Sequence, residues 1–264
     1  MYQNVRFKYY GDTLVEVMYC DKSIFQDEPS KPKKGGRKQN DEADEAAAVC
    51  AEFEKSSVAD NLARSQRRAK KAVFDLCACN PDLDLFCTFT IDGQKLDRYD
   101  YTAIMKKLKN FLDNRVRRKG LKYVLVAEFH KDGAIHFHAL CNSAALELID
   151  SGKVDKRGNT VYNLPEWGWG FTTAIRTYGE SRSGVCAYIT KYITKSDEKV
   201  GGRWFYHGGD LRKPRFEYVT DNYYGEYGET PDQMVEYLGE GFKCFNFEPD
   251  GVNYKFTIFR KEVF

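Results

Sequence analysis

At 264 residues the chain has room for one large domain or two small ones, and 42% hydrophobic with 15% aromatic residues is ample for a packed core. A formal net charge of +2 among 30% charged residues excludes a generic polyanion binder, so local charge blocks carry more information than the sum. No apolar run approaches the ~20 residues that span a bilayer, and the opening MYQNVRFKYY lacks the apolar stretch of a signal peptide. The eight cysteines contain no CxxC pair, so free thiols in a reducing cytoplasm, without membrane association, are expected.

Residues 3–21 read as two short strands around a Gly-Asp turn. Residues 27–45, with two prolines, two glycines and dense charge, read as a linker or surface loop. Helical composition follows over about 43–79, where Arg64, Arg67, Arg68, Lys70 and Lys71 form either a solvated face or a phosphate-contacting one. DLFCTFTID is a strand by composition, with Phe86, Thr88 and Thr90 on one face and Leu85, Cys87 and Phe89 on the other. Residues 100–120 predict an amphipathic helix that starts at an Asp100 cap and stops at Gly120. Its outer face is basic, with Lys106, Lys107, Lys109, Arg115, Arg117, Arg118 and Lys119.

Two apolar strands then flank Lys-Asp-Gly, residues 131–133. The chain holds four histidines, and His130, His136 and His138 fall in this stretch. In a strand His136 and His138 share a face while Phe137 turns to the core. A two-residue Asp-Gly turn would set Phe129 against His136. A three-residue loop with Gly133 in the left-handed conformation would set Glu128 against His136 instead. The second register gathers one carboxylate and two imidazoles on one face, with His130 nearer the loop, and leaves coordination positions open for a metal to grip a phosphate. Packing and hydrogen bonding, or a structural zinc site, are the alternatives for this motif.

Farther on, SGKVDKRGNT (151–160) reads as an exposed loop, and Trp167 and Trp169 as packing residues with base stacking as their alternative. In SRSGVCAYITKYITKSDE, 181–198, Tyr188, Lys191, Tyr192 and Lys195 follow i, i+3, i+4, i+7 spacing and share a helical face. Val185, Cys186, Ile189 and Ile193 are left to pack on a sheet, and Ser181 or Ser183 to cap the helix. Phenols beside ammonium groups serve either as a core-and-surface pair or as nucleophiles whose charge lysine stabilises.

The motifs FCTFT, AIHFHAL and YITKYITK, in that order, resemble those of the HUH (histidine-hydrophobic-histidine) endonucleases over roughly residues 82–220. They are most similar to those of the two-tyrosine rolling-circle replication initiators of small single-stranded DNA phages and plasmids. GGRWFYHGGDLRKPRF, 201–216, looks like the strand that follows the tyrosine helix there. The resemblance implies an α+β fold, a central antiparallel sheet of split βαβ, ferredoxin-like type flanked by helices, with an added N-terminal hairpin and helix. It implies a division into residues 1–80, a nuclease core at 81–222 and a C-terminal extension at 223–264. It implies Mg²⁺ or Mn²⁺ on His136, His138 and Glu128, with His130 as substitute for Glu128. Tyr188 or Tyr192 would form a 5′-phosphotyrosine bond with help from Lys191 and Lys195, Tyr188 cutting first. Thr88 and Thr90 would frame the metal. Arg67, Arg68, Lys106, Arg117 and Arg118 would contact DNA. The expected partners are single-stranded DNA at an origin and, because no G-x-x-x-x-G-K-[ST] motif is present, a host helicase with the host polymerase, in the cytoplasm of a bacterial host. A tyrosine HUH transposase or relaxase, or a non-catalytic single-strand-binding module, are the competing readings.

Overall fold

A computed structural model describes residues 2–3, 5–11, 14–20, 25–26, 47–130, 132–177, 182–195, 198–219, 241–247 and 254–260. They group into two compact units, Met1–Phe53 with Lys213–Phe264, and Glu54–Arg212. In chain order the strands β1 (Tyr2–Gln3), β2 (Val5–Tyr10), β3 (Leu14–Cys20) and β4 (Phe25–Gln26) come first. The helix α1 (Ala47–Cys79), β5 (Leu85–Phe89), α2 (Tyr101–Lys119), β6 (Tyr123–Phe129) and β7 (Ile135–Cys141) follow. Next are β8 (Ile149–Val154), β9 (Thr160–Asn163), β10 (Thr172–Arg176), α3 (Arg182–Thr190), a 3₁₀ turn (Lys191–Thr194) and β11 (Tyr206–Gly208). Last come β12 (Arg215–Val219), β13 (Gly241–Phe247) and β14 (Tyr254–Arg260).

The first unit is an antiparallel sheet in the order β12-β2-β3-β14-β13, with β1 and β4 paired apart from it. β2 and β3 make the expected hairpin at Gly11, whose φ is 61°. The partition at 80/81 and 222/223 differs from this arrangement. Strands from both ends of the chain share one sheet, while α1 from Glu54 onward belongs with the other unit. Strand pairing here joins residues more than two hundred positions apart, such as Tyr9 and Arg215, and composition carries no record of such partners. The linker expected at 27–45 lies outside the described residues.

The second unit is α+β, as expected, with a seven-stranded antiparallel sheet ordered β11-β6-β7-β5-β10-β9-β8. Both ends of α2 follow the sequence. The Asp100 carboxylate accepts from the Ala103 N–H at 2.9 Å, and Gly120 stops the helix at φ 66°. α2 buries Ile104, Leu108, Phe111 and Leu112, and these meet Leu85, Cys87, Phe89, Leu125 and Phe137 in the main core. Full burial of each large side chain is worth about 1.5–3 kcal/mol. Alternation then turns Phe86, Thr88, Val126, Glu128, His136 and His138 to the opposite face of the sheet. Two local readings change. SGKVDKRGNT is exposed, but as the β8–β9 hairpin rather than a loop, its strands paired from Ile149–Asn163 to Val154–Thr160. The tyrosine segment is helical only to Thr190 and then tightens to a 3₁₀ turn; the Ser181 and Ser183 cap lies outside the side chains described.

The strand before the site is held by a loop that tolerates no side chain at Gly170. Trp167 Nε1 donates to the Thr90 carbonyl at 2.9 Å, and the N–H groups of Thr90 and Asp92 donate to Phe171 and Trp169. A Cβ at Gly170 would overlap that Thr90 carbonyl. Gly170→Ala is therefore expected to destabilise the second unit by about 2–3 kcal/mol through forced overpacking, measured as a lowered denaturation midpoint.

Candidate active site

The β6–β7 hairpin has the three-residue loop. Gly133 sits at φ 84°, the His130 N–H donates to the Ala134 carbonyl at 2.8 Å, and Glu128 pairs with His136. Phe129 pairs with Ile135, so the two-residue turn is ruled out. This register puts Phe137 in the core at 0% exposure and leaves both imidazoles on the other face. β7 is an interior strand, and on its far side Thr88 of β5 pairs with His138.

His138 is the centre of the cluster. Its Nε2 lies 2.7 Å from Glu128 Oε2, and its Nδ1 lies 3.2 Å from Thr88 Oγ1. The other oxygen of Glu128 accepts from Lys195 Nζ at 2.6 Å. Burial pushes the His138 imidazole down from 6.5 to about 4, outweighing the opposite pull of Glu128, so the ring is neutral at pH 7. Burial raises the Glu128 carboxyl, but the ammonium of Lys195 and the His138 ring together bring it below its ordinary value. An ionised carboxylate only accepts. The proton of neutral His138 therefore sits on Nε2, and the Thr88 hydroxyl donates to Nδ1. Because a hydroxyl also accepts, Thr88 can serve either tautomer. Burial likewise lowers His136, helped by His130, whose ring lies 4.0 Å from it between centroids.

These shifts predict acid sensitivity. Above pH 6.5 neither folded nor unfolded His138 is charged. Between 6.5 and about 4 the unfolded chain takes up a proton that the fold refuses. Stability present above pH 6.5 is lost as the pH falls through that window, by about 3 kcal/mol at ~1.36 kcal/mol per pH unit. Glu128, lowered too, loses its own contribution at still lower pH. Denaturation midpoints of the metal-free protein at pH 7 and pH 5 check this, and His138→Gln should flatten the difference.

The tyrosine segment lies on the same face. Val185, Cys186, Ile189 and Ile193 are buried as the spacing predicts, and the 3₁₀ turn packs on β6. The four polar residues do converge, but the phenols are unequal. Tyr192 is 5% exposed and stacks on His138, with centroids 3.7 Å apart and planes at 16°. Tyr188 is 47% exposed. The Tyr192 hydroxyl donates to the Tyr188 oxygen at 3.1 Å. That donated bond, with Lys191 Nζ lying 3.4 Å over the Tyr188 ring, lowers the Tyr188 pKa below its ordinary 10. Tyr192 is pushed up strongly, first by burial and then by the same bond. Lys195 Nζ lies 4.7 Å over the Tyr192 ring and joins the phenols to Glu128. Phe86 is the piece the motifs did not flag. Its ring contacts Tyr188, His138 and Tyr192 at centroid distances of 5.2, 6.0 and 6.3 Å. Period-two reading of β5 is the signal that points to it.

Other expected residues lie elsewhere. Thr90 ties the Phe171 backbone rather than the histidines. Lys106, Arg117 and Arg118 are exposed on α2, on the opposite side of the sheet from His138, because helix and imidazoles occupy opposite faces. Arg67 and Arg68 are exposed on α1, outward of its buried Ala69, Val73, Leu76 and Cys77. Trp167 packs, as expected, and Trp169 packs partly against the same core.

Among the described residues no group of three or more His, Cys, Asp or Glu side chains is arranged to hold a metal ion. The donor chemistry nonetheless fits a divalent ion. Glu128, His136 and His138 share one face, the imidazoles are neutral and the carboxylate is ionised. Glu128 is at present engaged by His138 and Lys195, so these contacts are what an ion would replace.

Fold and cluster define an antiparallel-sheet protein with a carboxylate, paired imidazoles and a tyrosine–lysine segment on one face. The family model of the replication-associated protein ORF2 matches residues 84–197, a stretch that contains every one of these side chains. No curated protein and no solved structure matches the chain. No helix among the described residues is long and apolar enough to cross a membrane.

Proposed function

We propose that this protein initiates rolling-circle replication by cutting single-stranded DNA at an origin through Tyr188. The observation that carries the proposal is the inequality of the phenols above the histidine cluster. One is exposed and acidified, and its neighbour is buried and donates a hydrogen bond to it. The similarity of residues 84–197 to replication-associated proteins supports the same reading.

Tyr188 releases its proton to water, and the Tyr192 hydroxyl and the Lys191 ammonium stabilise the phenolate. Its oxygen bonds to phosphorus, and the bond from phosphorus to the 3′-oxygen breaks. That oxygen takes a proton from water and becomes the 3′-OH from which a host polymerase extends. The 5′-phosphate stays on Tyr188. Glu128, His136 and His138 would hold Mg²⁺ or Mn²⁺, which when bound offsets charge on the phosphate oxygens. Thr88 orients His138, and Lys195 holds Glu128 ionised. Tyr192 attacks in the later transfer that closes the circle, after Tyr188 has been consumed. Unwinding is left to a host helicase, and the setting is the cytoplasm of a bacterial host that carries a phage or plasmid.

The test is an adduct assay. The protein is mixed with circular single-stranded DNA and Mn²⁺, quenched with detergent and run on a denaturing gel. Protein that carries DNA in the presence of Mn²⁺ but not EDTA is the expected result. DNA binding that EDTA leaves unchanged, without any adduct, would replace the nickase by a single-strand-binding module.

A further inference from the structure

We infer that the cleft between the β8–β9 hairpin tip and α3 binds a nucleotide of single-stranded DNA next to the phosphate that Tyr188 attacks. The inference rests on the nuclease reading above and adds a substrate subsite to it.

A cavity of about 380 Å³ opens over β5 and β10. Sites for small ligands run from ~300 to 1,000 Å³. Its floor is Phe86, Thr88, Thr173 and Ile175, and Tyr188 with Val185 forms the wall on the helix side. The opposite rim is the hairpin tip, Asp155, Lys156 and Arg157. Sheet order fixes where this lies. The polar cluster occupies β6 and β7, the tyrosines come next over β5, and β10 and the hairpin tip continue outward in the same direction. A strand with its phosphate at Tyr188 therefore has two ways to leave the site, and the cleft is the one away from the histidines.

The chemistry along the cleft matches a nucleotide in order. A half-buried aromatic ring, Phe86, and the aliphatic Ile175 offer a platform for a base. The Thr173 hydroxyl is exposed beside them and can bond to a base edge. Two exposed cations, Lys156 and Arg157, stand at the outer rim where the backbone phosphate would lie. The hairpin tip is fixed in advance. Asp155 accepts from the N–H groups of Arg157 and Asn159, each at 2.8 Å, and from Asn159 Nδ2 at 3.1 Å, and Gly158 closes the turn at φ 83°. The one carboxylate at the rim is thus turned inward to its own backbone, and the rim presents cations. Little ordering is left for DNA to impose on that turn.

The experiment measures binding of the full chain to a fluorescein-labelled 30-nucleotide single strand of randomised sequence, by anisotropy across a salt series. Lys156→Glu with Arg157→Glu changes only exposed turn positions and is expected to weaken binding at least tenfold. The slope of log affinity on log salt should fall by about 1.4, two phosphate contacts at ~0.7 each. The milder Lys156→Ala with Arg157→Ala should show the same direction, which guards against a folding defect in the first variant. Lys106→Glu with Arg118→Glu makes the same charge change on the opposite side of the sheet and should stay within threefold of wild type. Hairpin variants within twofold of wild type, or losses equal to those of the α2 pair, would overturn the cleft. Wild-type protein that does not bind the strand would overturn it too. The adduct assay is scored separately, so a metal-dependent adduct with unaltered hairpin variants would sink the cleft alone and leave the nuclease standing.

Discussion

Tyr188→Phe is expected to remove the covalent DNA adduct altogether, a loss of about 10⁴-fold or more in the first cut, whereas Tyr192→Phe should still form it. The difference follows from geometry. Tyr188 is open to solvent, and its oxygen receives a hydrogen bond, while Tyr192 is buried against His138 and gives one. Tyr192→Phe deletes the donor that helps acidify Tyr188, so the phenolate becomes rarer at neutral pH. Each unit by which the Tyr188 pKa climbs makes the first cut about tenfold slower near neutrality. Raising the pH should then restore much of the rate of Tyr192→Phe and none of that of Tyr188→Phe. Closure of the circle should fail in both variants. Quantifying adduct and circular product from the same gel across pH checks all of these outcomes. Equal adduct from both variants would mean that the two phenols exchange roles before the first cut.

How much of this site was legible beforehand depended on whether the chemistry was local. The β6–β7 register followed from one loop. Lys-Asp-Gly with a left-handed Gly133 is a turn that fixes pairing for every residue beyond it, and a one-residue slip would have sent His136 and His138 into the core. α2 was legible for the same reason, since its Asp100 cap and Gly120 stop are contacts within a few residues. The tyrosine face was legible in membership but not in rank. Spacing put Tyr188 and Tyr192 together, and only the packing of Tyr192 on the His138 ring separates nucleophile from donor. The basic residues of α2 misled because amphipathicity shows that Lys106 and Arg118 face solvent without showing which side of the sheet that solvent is on. SGKVDKRGNT misled in the other direction. Its polar composition suits a loop, yet Asp155 and Gly158 make a turn tight enough to pair β8 with β9. Least legible was the first unit, whose sheet joins β2 and β3 to strands from the far end of the chain.

The polar cluster beneath the phenols should behave as one device. Glu128→Ala, His136→Ala and His138→Ala are each expected to cut Mn²⁺-dependent adduct formation by about 10³-fold, and any two together should cost little more than one, because groups that act as a unit are strongly non-additive. His130→Ala should stay within about tenfold, since a neighbour that only supports a ligand costs ~10–100-fold at most. His130 is exposed and touches the His136 ring, while Glu128 is the side chain in contact with His138. The histidine variants differ in a second respect. His138→Ala also removes the ring on which Tyr192 stacks and the partner of Thr88, so it should lower the denaturation midpoint, and His136→Ala, which supports neither, should not. Mn²⁺ titration of adduct yield separates the contributions. A right-shifted titration that high Mn²⁺ rescues marks a weakened ion site, and a low plateau that no Mn²⁺ rescues marks a displaced Tyr192. If His130→Ala proves as damaging as Glu128→Ala, the third donor is the imidazole at the loop. The carboxylate would then serve as the anchor that binds Lys195 at 2.6 Å and orients the tyrosine turn.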